Sequence, residues 1–136
     1  MFDTGIGILI VDDMLTMRKL VKKALSGMGY REFFEAGDGA EAFDVLNNNA
    51  EKIKLIISDW NMPKCSGIEF LKRVRASERF RPLPFVMLTA ESESGQVREA
   101  LQAGVSNYIV KPFSADSMKE KLGQTYANMT KNARVS

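Results

Sequence analysis

Four short apolar runs, each closed by a polar residue of definite chemistry, constrain this chain more than any other feature. Ile8-Leu9-Ile10-Val11 ends in Asp12-Asp13, and Leu55-Ile56-Ile57-Ser58 ends in Asp59. Phe85-Val86-Met87-Leu88 ends in Thr89, and Tyr108-Ile109-Val110 ends in Lys111-Pro112. Strands apolar on both faces are expected where helices cover a parallel sheet on both sides. Amphipathic stretches separate the runs, which gives a βα alternation. The C-terminal ends of strands in such a sheet share one crevice. Three carboxylates, a hydroxyl and an ammonium group are therefore expected along one edge of the fold.

The pattern predicts strands near 7–11, 32–36, 55–58, 84–88 and 107–110. In the first helix, Met17, Leu20, Val21, Ala24, Leu25 and Met28 recur at helical spacing, and Gly29 is its natural stop. Asp38 with Glu41, and Ser66 with Glu69, have the spacing of capping boxes and predict the starts of the second and third helices. Asn47-Asn48-Asn49 reads as a loop. The fourth helix is expected from about Gly95 to Ala103, with Gly104 ending it. The fifth is expected from Ser114 to Tyr126 or Met129. The reading is one domain over 1–136, with an ordered core from about 6 to 129 and a polar, frayed tail at 130–136.

Composition narrows the chemistry. An apolar fraction of 45% in 136 residues supports one real core. Nineteen basic and 17 acidic residues leave a net charge of +2, too balanced to suggest a nucleic-acid binder. The single cysteine, Cys65, excludes an internal disulfide and fits a reducing, cytoplasmic setting. No run has the length of a membrane span or the pattern of a signal peptide. The absence of histidine excludes a Ser-His-Asp triad, a His-ligated zinc site and a phosphohistidine carrier. Chemistry must run on carboxylates, hydroxyls and lysine.

If the strands lie in the order 2-1-3-4-5, the first and third are neighbours, and Asp12, Asp13 and Asp59 converge at the switch point between them. Two carboxylates about 4 Å apart repel by roughly 4 kcal/mol at an effective dielectric of about 20. Such a cluster needs a cation or a protonated member. Mg²⁺ suits it, being hard, oxygen-seeking and tolerant of water and phosphate in its shell. Lys111 adds a fixed positive charge on the opposite rim. These are the parts that phosphoryl transfer requires: a nucleophile, a metal on the phosphoryl oxygens and a further cation. Asp59, alone at its strand end, is the best nucleophile, and the Asp12-Asp13 pair reads as metal ligands. Singly, each residue has an ordinary explanation, such as an N-cap, a turn hydroxyl or a surface lysine. Their joint placement at four strand ends is what carries weight.

The motifs Val11-Asp12-Asp13, Thr16-Met17-Arg18, Ser58-Asp59-Trp60-Asn61-Met62-Pro63, Gly67, Thr89-Ala90-Glu91, Gln102-Ala103-Gly104 and Tyr108-Ile109-Val110-Lys111-Pro112-Phe113 extend from about Gly7 to Leu122. In this order and spacing the chain resembles bacterial two-component response regulator receivers, and among them the stand-alone chemotaxis regulators of the CheY type. The resemblance implies a single doubly wound, flavodoxin-like (βα)5 domain with parallel strand order 2-1-3-4-5. It implies phosphorylation of Asp59 by a histidine kinase. Mg²⁺ would be held by Asp13, Asp59 and the backbone carbonyl of Asn61, with Asp12 acting mainly through water. Lys111 would contact the phosphoryl oxygens, Thr89 would move to the new phosphate, and Tyr108 would turn inward behind it. Asn61 and Glu91 occupy positions that tune dephosphorylation in similar proteins. A cis Lys111-Pro112 bond is also implied.

The implied role is regulatory, not enzymatic. A cytoplasmic monomer would switch the face built by its fourth helix, fifth strand and fifth helix, most simply to bind a flagellar motor switch protein. A phosphatase is a further possible partner; nucleic acid and membrane are not expected partners. Two other outputs fit the residues: a phosphate sink or relay, and an aspartyl-phosphate phosphatase. Against the phosphatase stands the adjacent Asp12-Asp13 pair, where haloacid-dehalogenase phosphatases carry Asp-x-Asp. Glu93 and Ser94 depart from the lysines that similar chemotaxis regulators tend to carry, and Ser66 replaces a common aspartate. The groups Arg18-Lys19-Lys22-Lys23 and Lys72-Arg73-Arg75 read as solvated helix faces. Trp60 is expected to be partly exposed and, as the only tryptophan, to report metal binding through its fluorescence.

Overall fold

A computed structural model describes residues 1–90 and 94–135. In chain order the elements are β1 Gly7–Val11, α1 Leu15–Gly27, β2 Glu32–Ala36, α2 Gly39–Asn48, β3 Ile53–Asp59, α3 Gly67–Ala76, β4 Phe85–Ala90, α4 Ser94–Gln102, β5 Asn107–Lys111 and α5 Ala115–Val135. All strands run parallel in the order β2-β1-β3-β4-β5, so the chain reverses direction across the sheet between β1 and β3. This is the expected flavodoxin-like receiver fold.

Strand alternation divides the core in two. Ile8, Ile10, Leu55, Ile57, Val86, Leu88 and Ile109 pack with Val21 and Leu25 of α1 and Met118 and Leu122 of α5. Leu9, Val11, Ile56, Phe85 and Met87 pack on the other side with residues of α2, α3 and α4, such as Leu46, Phe70, Leu71 and Ala100. Residues two apart share a face. Continuing the first series to the strand ends puts Asp12, Asp59 and Lys111 on the α1/α5 side. Continuing the second puts Thr89 and Tyr108 on the α4 side.

The capping pairs form as expected. Asp38 accepts from the Glu41 amide at 2.9 Å, and Ser66 accepts from the Glu69 amide at 3.3 Å. Gly29 ends α1 at φ 101°, a conformation that side chains rarely adopt. Among the described residues no helix is long and apolar enough to cross a membrane.

Several elements differ from the sequence reading. Asn47 and Asn48 belong to α2, and the Asn47 and Asn49 amides donate back to the Phe43 and Val45 carbonyls, closing the helix end. Helix α5 continues to Val135 rather than ending near Met129, since no glycine or proline interrupts it after Gly123. The first residues join the core: Phe2 is buried, meets Tyr126 edge-on at 5.2 Å and accepts from the Tyr30 hydroxyl at 2.8 Å. Trp60 is buried, at 8% exposure, rather than partly exposed.

The basic helix faces are also less solvated than their composition suggests. Arg73 lies over the Phe43 ring at 4.3 Å. Arg75 is drawn inward, where burial pushes its pKa down. It donates to the carbonyls of Gly104, Arg81 and Leu83 at 2.8, 2.9 and 2.7 Å, and to the Ser106 hydroxyl at 3.2 Å. One guanidinium fork thus ties α3 to the loops that enter β4 and β5.

Gly67 couples the start of α3 to the strand that carries Asp59. Its amide donates to the Trp60 carbonyl at 2.9 Å, and a Cβ there would collide with the Asp59 carbonyl oxygen. Backbone cannot swing aside as a side-chain tip can. Gly67→Ala is expected to cost about 1–3 kcal/mol, as other overpacking changes do. Thermal or urea unfolding checks this, and an unchanged midpoint would show that α3 slides freely over Asp59.

Candidate functional site

The C-terminal edge of β1, β3 and β5 gathers the charged groups. Carboxylate oxygens of Asp12, Asp13 and Asp59 lie within 4.8 Å of one another. Asp12 and Asp59 are buried, at 1% and 7% exposure, while Asp13 faces solvent. The Lys111 ammonium donates to Asp59 Oδ1 at 2.6 Å and lies 3.8 Å from Asp12 Oδ2. The Lys111-Pro112 peptide is cis, as the resemblance implied.

Asp12 is held on several sides. Its amide donates to the Ala36 carbonyl of β2 at 3.1 Å, and its Oδ1 accepts from the Met14 amide at 2.9 Å. Its Oδ2 is buried and finds no hydrogen-bond partner among the described residues. Burial is the main cause that pushes this carboxyl up from 3.8 to about 6. Neighbouring Asp59 and Asp13 add to the rise, and the Met14 amide and Lys111 oppose it. A hard, oxygen-seeking cation fits this donor set: three clustered carboxylates, one with an orphaned buried oxygen.

The loop after β3 frames the mouth. Trp60 donates to the Leu88 carbonyl at 3.2 Å, which pins the loop to β4. Lys64 takes a φ of 64°, uncommon for a residue with a side chain. Asp13, Asn61, Met62, Pro63 and Ser66 line an open depression of about 430 Å³ beside the carboxylates.

Thr89 and Tyr108 stand on the other face of the sheet. Thr89 is fully buried, and its hydroxyl has no hydrogen-bond partner among the described residues. Tyr108 pairs with Met87 in the β4–β5 register, two residues before Thr89 on the same face. Its ring is half-buried, with the Lys121 ammonium 4.7 Å from its centroid. Glu91 and Glu93 fall outside the described residues.

The decisive match covers most of the chain: residues 8–123 fit the response regulator receiver domain. The chain belongs to that family. This receiver is 48% identical over 115 residues to chemotaxis protein CheY1 of Helicobacter pylori, covering 85% of this chain and 92% of that one. It is 45% identical over 122 residues to chemotaxis protein CheY-3 of Vibrio cholerae, covering 90% and 92%. The solved structure of chemotaxis response regulator CheY4 of Vibrio cholerae superposes with a TM-score of 0.76 at 34% identity, covering 88% of this chain and 98% of that one.

The structure brings together the three carboxylates and the lysine that the sequence singled out. Arg18, read from the sequence as part of the Thr16-Met17-Arg18 motif and of a solvated helix face, instead turns its guanidinium inward and donates to the Asp12 carbonyl at 2.6 Å from α1.

The raised Asp12 pKa sets a sign for stability. A folded state that keeps its proton above the ordinary value of 3.8 loses stability as pH rises through that value toward about 6. In metal-free buffer, Asp12→Asn is therefore expected to gain stability relative to the native sequence between about pH 4 and 7. Unfolding midpoints for the two proteins check this, and a difference independent of pH would contradict it.

Proposed function

We propose that this receiver is a phosphorylation-activated chemotaxis regulator, with Asp59 as its phosphoacceptor. The observation that carries this reading is the Lys111 ammonium at 2.6 Å from a buried Asp59 beside two further aspartates. A histidine kinase is the proposed donor. A carboxylate oxygen of Asp59 attacks phosphorus, and the bond from phosphorus to the donor's imidazole nitrogen breaks. The nitrogen keeps the electron pair and takes a proton from solvent, which leaves an aspartyl phosphate.

Asp13, Asp59 and the Asn61 carbonyl would hold Mg²⁺, with Asp12 acting through water. A bound Mg²⁺ would supply charge neutralisation at the phosphoryl oxygens. Lys111 orients the Asp59 carboxylate before transfer and follows the phosphoryl oxygens afterwards, because the charge it balances moves outward. Asn61 and Glu91 are assigned to tuning hydrolysis of the acyl phosphate. The role is regulatory, exercised by a cytoplasmic monomer.

The output follows from the Thr89 hydroxyl. A buried hydroxyl with no partner among the described residues is drawn to any strong acceptor, and a phosphoryl group at Asp59 offers one. Its movement opens space on the α4 face for the Tyr108 ring. That rearranges the surface of α4, β5 and α5, where a flagellar motor switch protein is the proposed target. The names of the curated relatives support the chemotaxis assignment. A phosphatase acting on the aspartyl phosphate is a further proposed partner.

Binding to an N-terminal peptide of the flagellar switch protein tests this output. With Mg²⁺ and the phosphoryl mimic beryllofluoride, affinity is expected to rise at least about tenfold, or about 1.4 kcal/mol. Asp59→Asn is expected to show no rise. Unchanged affinity, with beryllofluoride shown to bind, would exclude this target while leaving the phosphoacceptor chemistry standing.

A further inference from the structure

Asp12 and Asp13 differ in support. The Asp12 side chain is buried and anchored by the Met14 amide, whereas Asp13 is exposed and follows it at the tip of β1. The direction of the Asp13 side chain depends on the peptide plane joining the two residues, because the Asp12 carbonyl and the Asp13 amide belong to one rigid unit. That plane is gripped from outside. Arg18 Nη1 donates to the Asp12 carbonyl at 2.6 Å. The same guanidinium is fixed by Nε to Glu35 Oε1 at 3.0 Å. Lys22, one turn further along α1, donates to the other oxygen of Glu35 at 2.9 Å. Glu35 in turn is placed by β2, whose next residue, Ala36, accepts from the Asp12 amide.

We infer that Arg18 is a positioning residue for the metal site, orienting the Asp12–Asp13 peptide through a strut completed by Glu35 and Lys22. The inference rests on the metal-binding role proposed for Asp12 and Asp13. Arg18 touches neither carboxylate through the contacts that define the strut; its effect passes through a backbone carbonyl. Outer-shell groups that orient ligands commonly change metal affinity by about 10–100-fold when lost.

The sign of the effect separates positioning from charge. A cation near a Mg²⁺ site opposes binding, so removing the Arg18 charge tightens binding if charge is all it contributes. Removing a positioning contact weakens binding. Glu35→Gln leaves the Arg18 charge in place and loosens the strut, so it also weakens binding, but loss of the Glu35 charge acts in the same direction, and the sign separates the two causes only at Arg18. The basic run on α1 thus has two kinds of member: Arg18 and Lys22 in the strut, and exposed Lys19 and Lys23 outside it.

The test is Mg²⁺ titration read by Trp60 fluorescence and by isothermal calorimetry, with thermal unfolding in excess chelator as the measure of fold integrity. Arg18→Met is expected to raise the Kd by about tenfold, with an unfolding midpoint close to that of the native protein. Arg18→Lys, which can still reach a carbonyl, is expected to recover part of the loss. Glu35→Gln is expected to weaken binding less than Arg18→Met, and the double variant no more than Arg18→Met alone. Lys19→Met, which removes charge from the same helix without touching the strut, is expected to leave the Kd unchanged or lower it.

Unchanged or tighter binding by Arg18→Met overturns the positioning role. If that variant does not fold, unchanged binding by Glu35→Gln overturns it instead. No Mg²⁺ binding by the native protein would refute the metal site itself, and the strut's role with it, and is distinguishable because it needs no variant.

Discussion

Mutual repulsion among three carboxylates at one sheet edge is the constraint around which this molecule is arranged. Asp12, Asp13 and Asp59 approach within 4.8 Å, and two of the three are buried. Nothing in strand packing favours that gathering. It persists because Lys111 reaches Asp59 at 2.6 Å and because Met14 donates to Asp12, against the burial that pushes the Asp12 carboxyl up to about 6. The site is thus held with its charge only partly balanced, which suits a divalent cation. In the proposed function, a phosphoryl group on Asp59 adds charge that changes what Lys111 and Thr89 are drawn toward.

The fold supplies the geometry. Order β2-β1-β3-β4-β5 makes β1 and β3 neighbours, so the loops after them diverge and leave a crevice. Period-2 alternation sends Asp12, Asp59 and Lys111 to the α1/α5 face, and Thr89 and Tyr108 to the α4 face. The charged cluster and the proposed switch pair therefore lie on opposite sides of one thin layer. Gly67 seats α3 against the Asp59 backbone, and Arg75 fastens the far end of α3 to the loops entering β4 and β5. Helix α3 is thus seated on β3 at the site end and fastened at its other end.

Much of this was legible in the sequence because it rests on local rules. Apolar runs marked the strands to within about two residues, and Asp38 and Ser66 announced their helices through side-chain caps. The carboxylates and Lys111 were legible because each sits where a strand must stop. What was not legible depends on partners distant in the chain. Arg18 and Glu35 are 17 residues apart, and Arg75 binds carbonyls, which leave no mark in a sequence. Trp60 beside the site looked exposed, yet the loop after β3 turns it into the core alongside Ile68 and Met87. The end of α5 was misplaced because a run of polar residues signals solvent, not the loss of helical backbone bonds.

In the proposed function, transfer of a phosphoryl group to Asp59 is the event on which site, switch and output all depend. The most direct measurement is incubation with a small acyl phosphate, with and without Mg²⁺, followed by mass spectrometry of peptides under conditions that preserve acyl phosphates. One phosphoryl group on the peptide containing Asp59, dependent on Mg²⁺ and absent from Asp59→Asn, is the expected result. Phosphorylation at another residue, or equal labelling of Asp59→Asn, would contradict it.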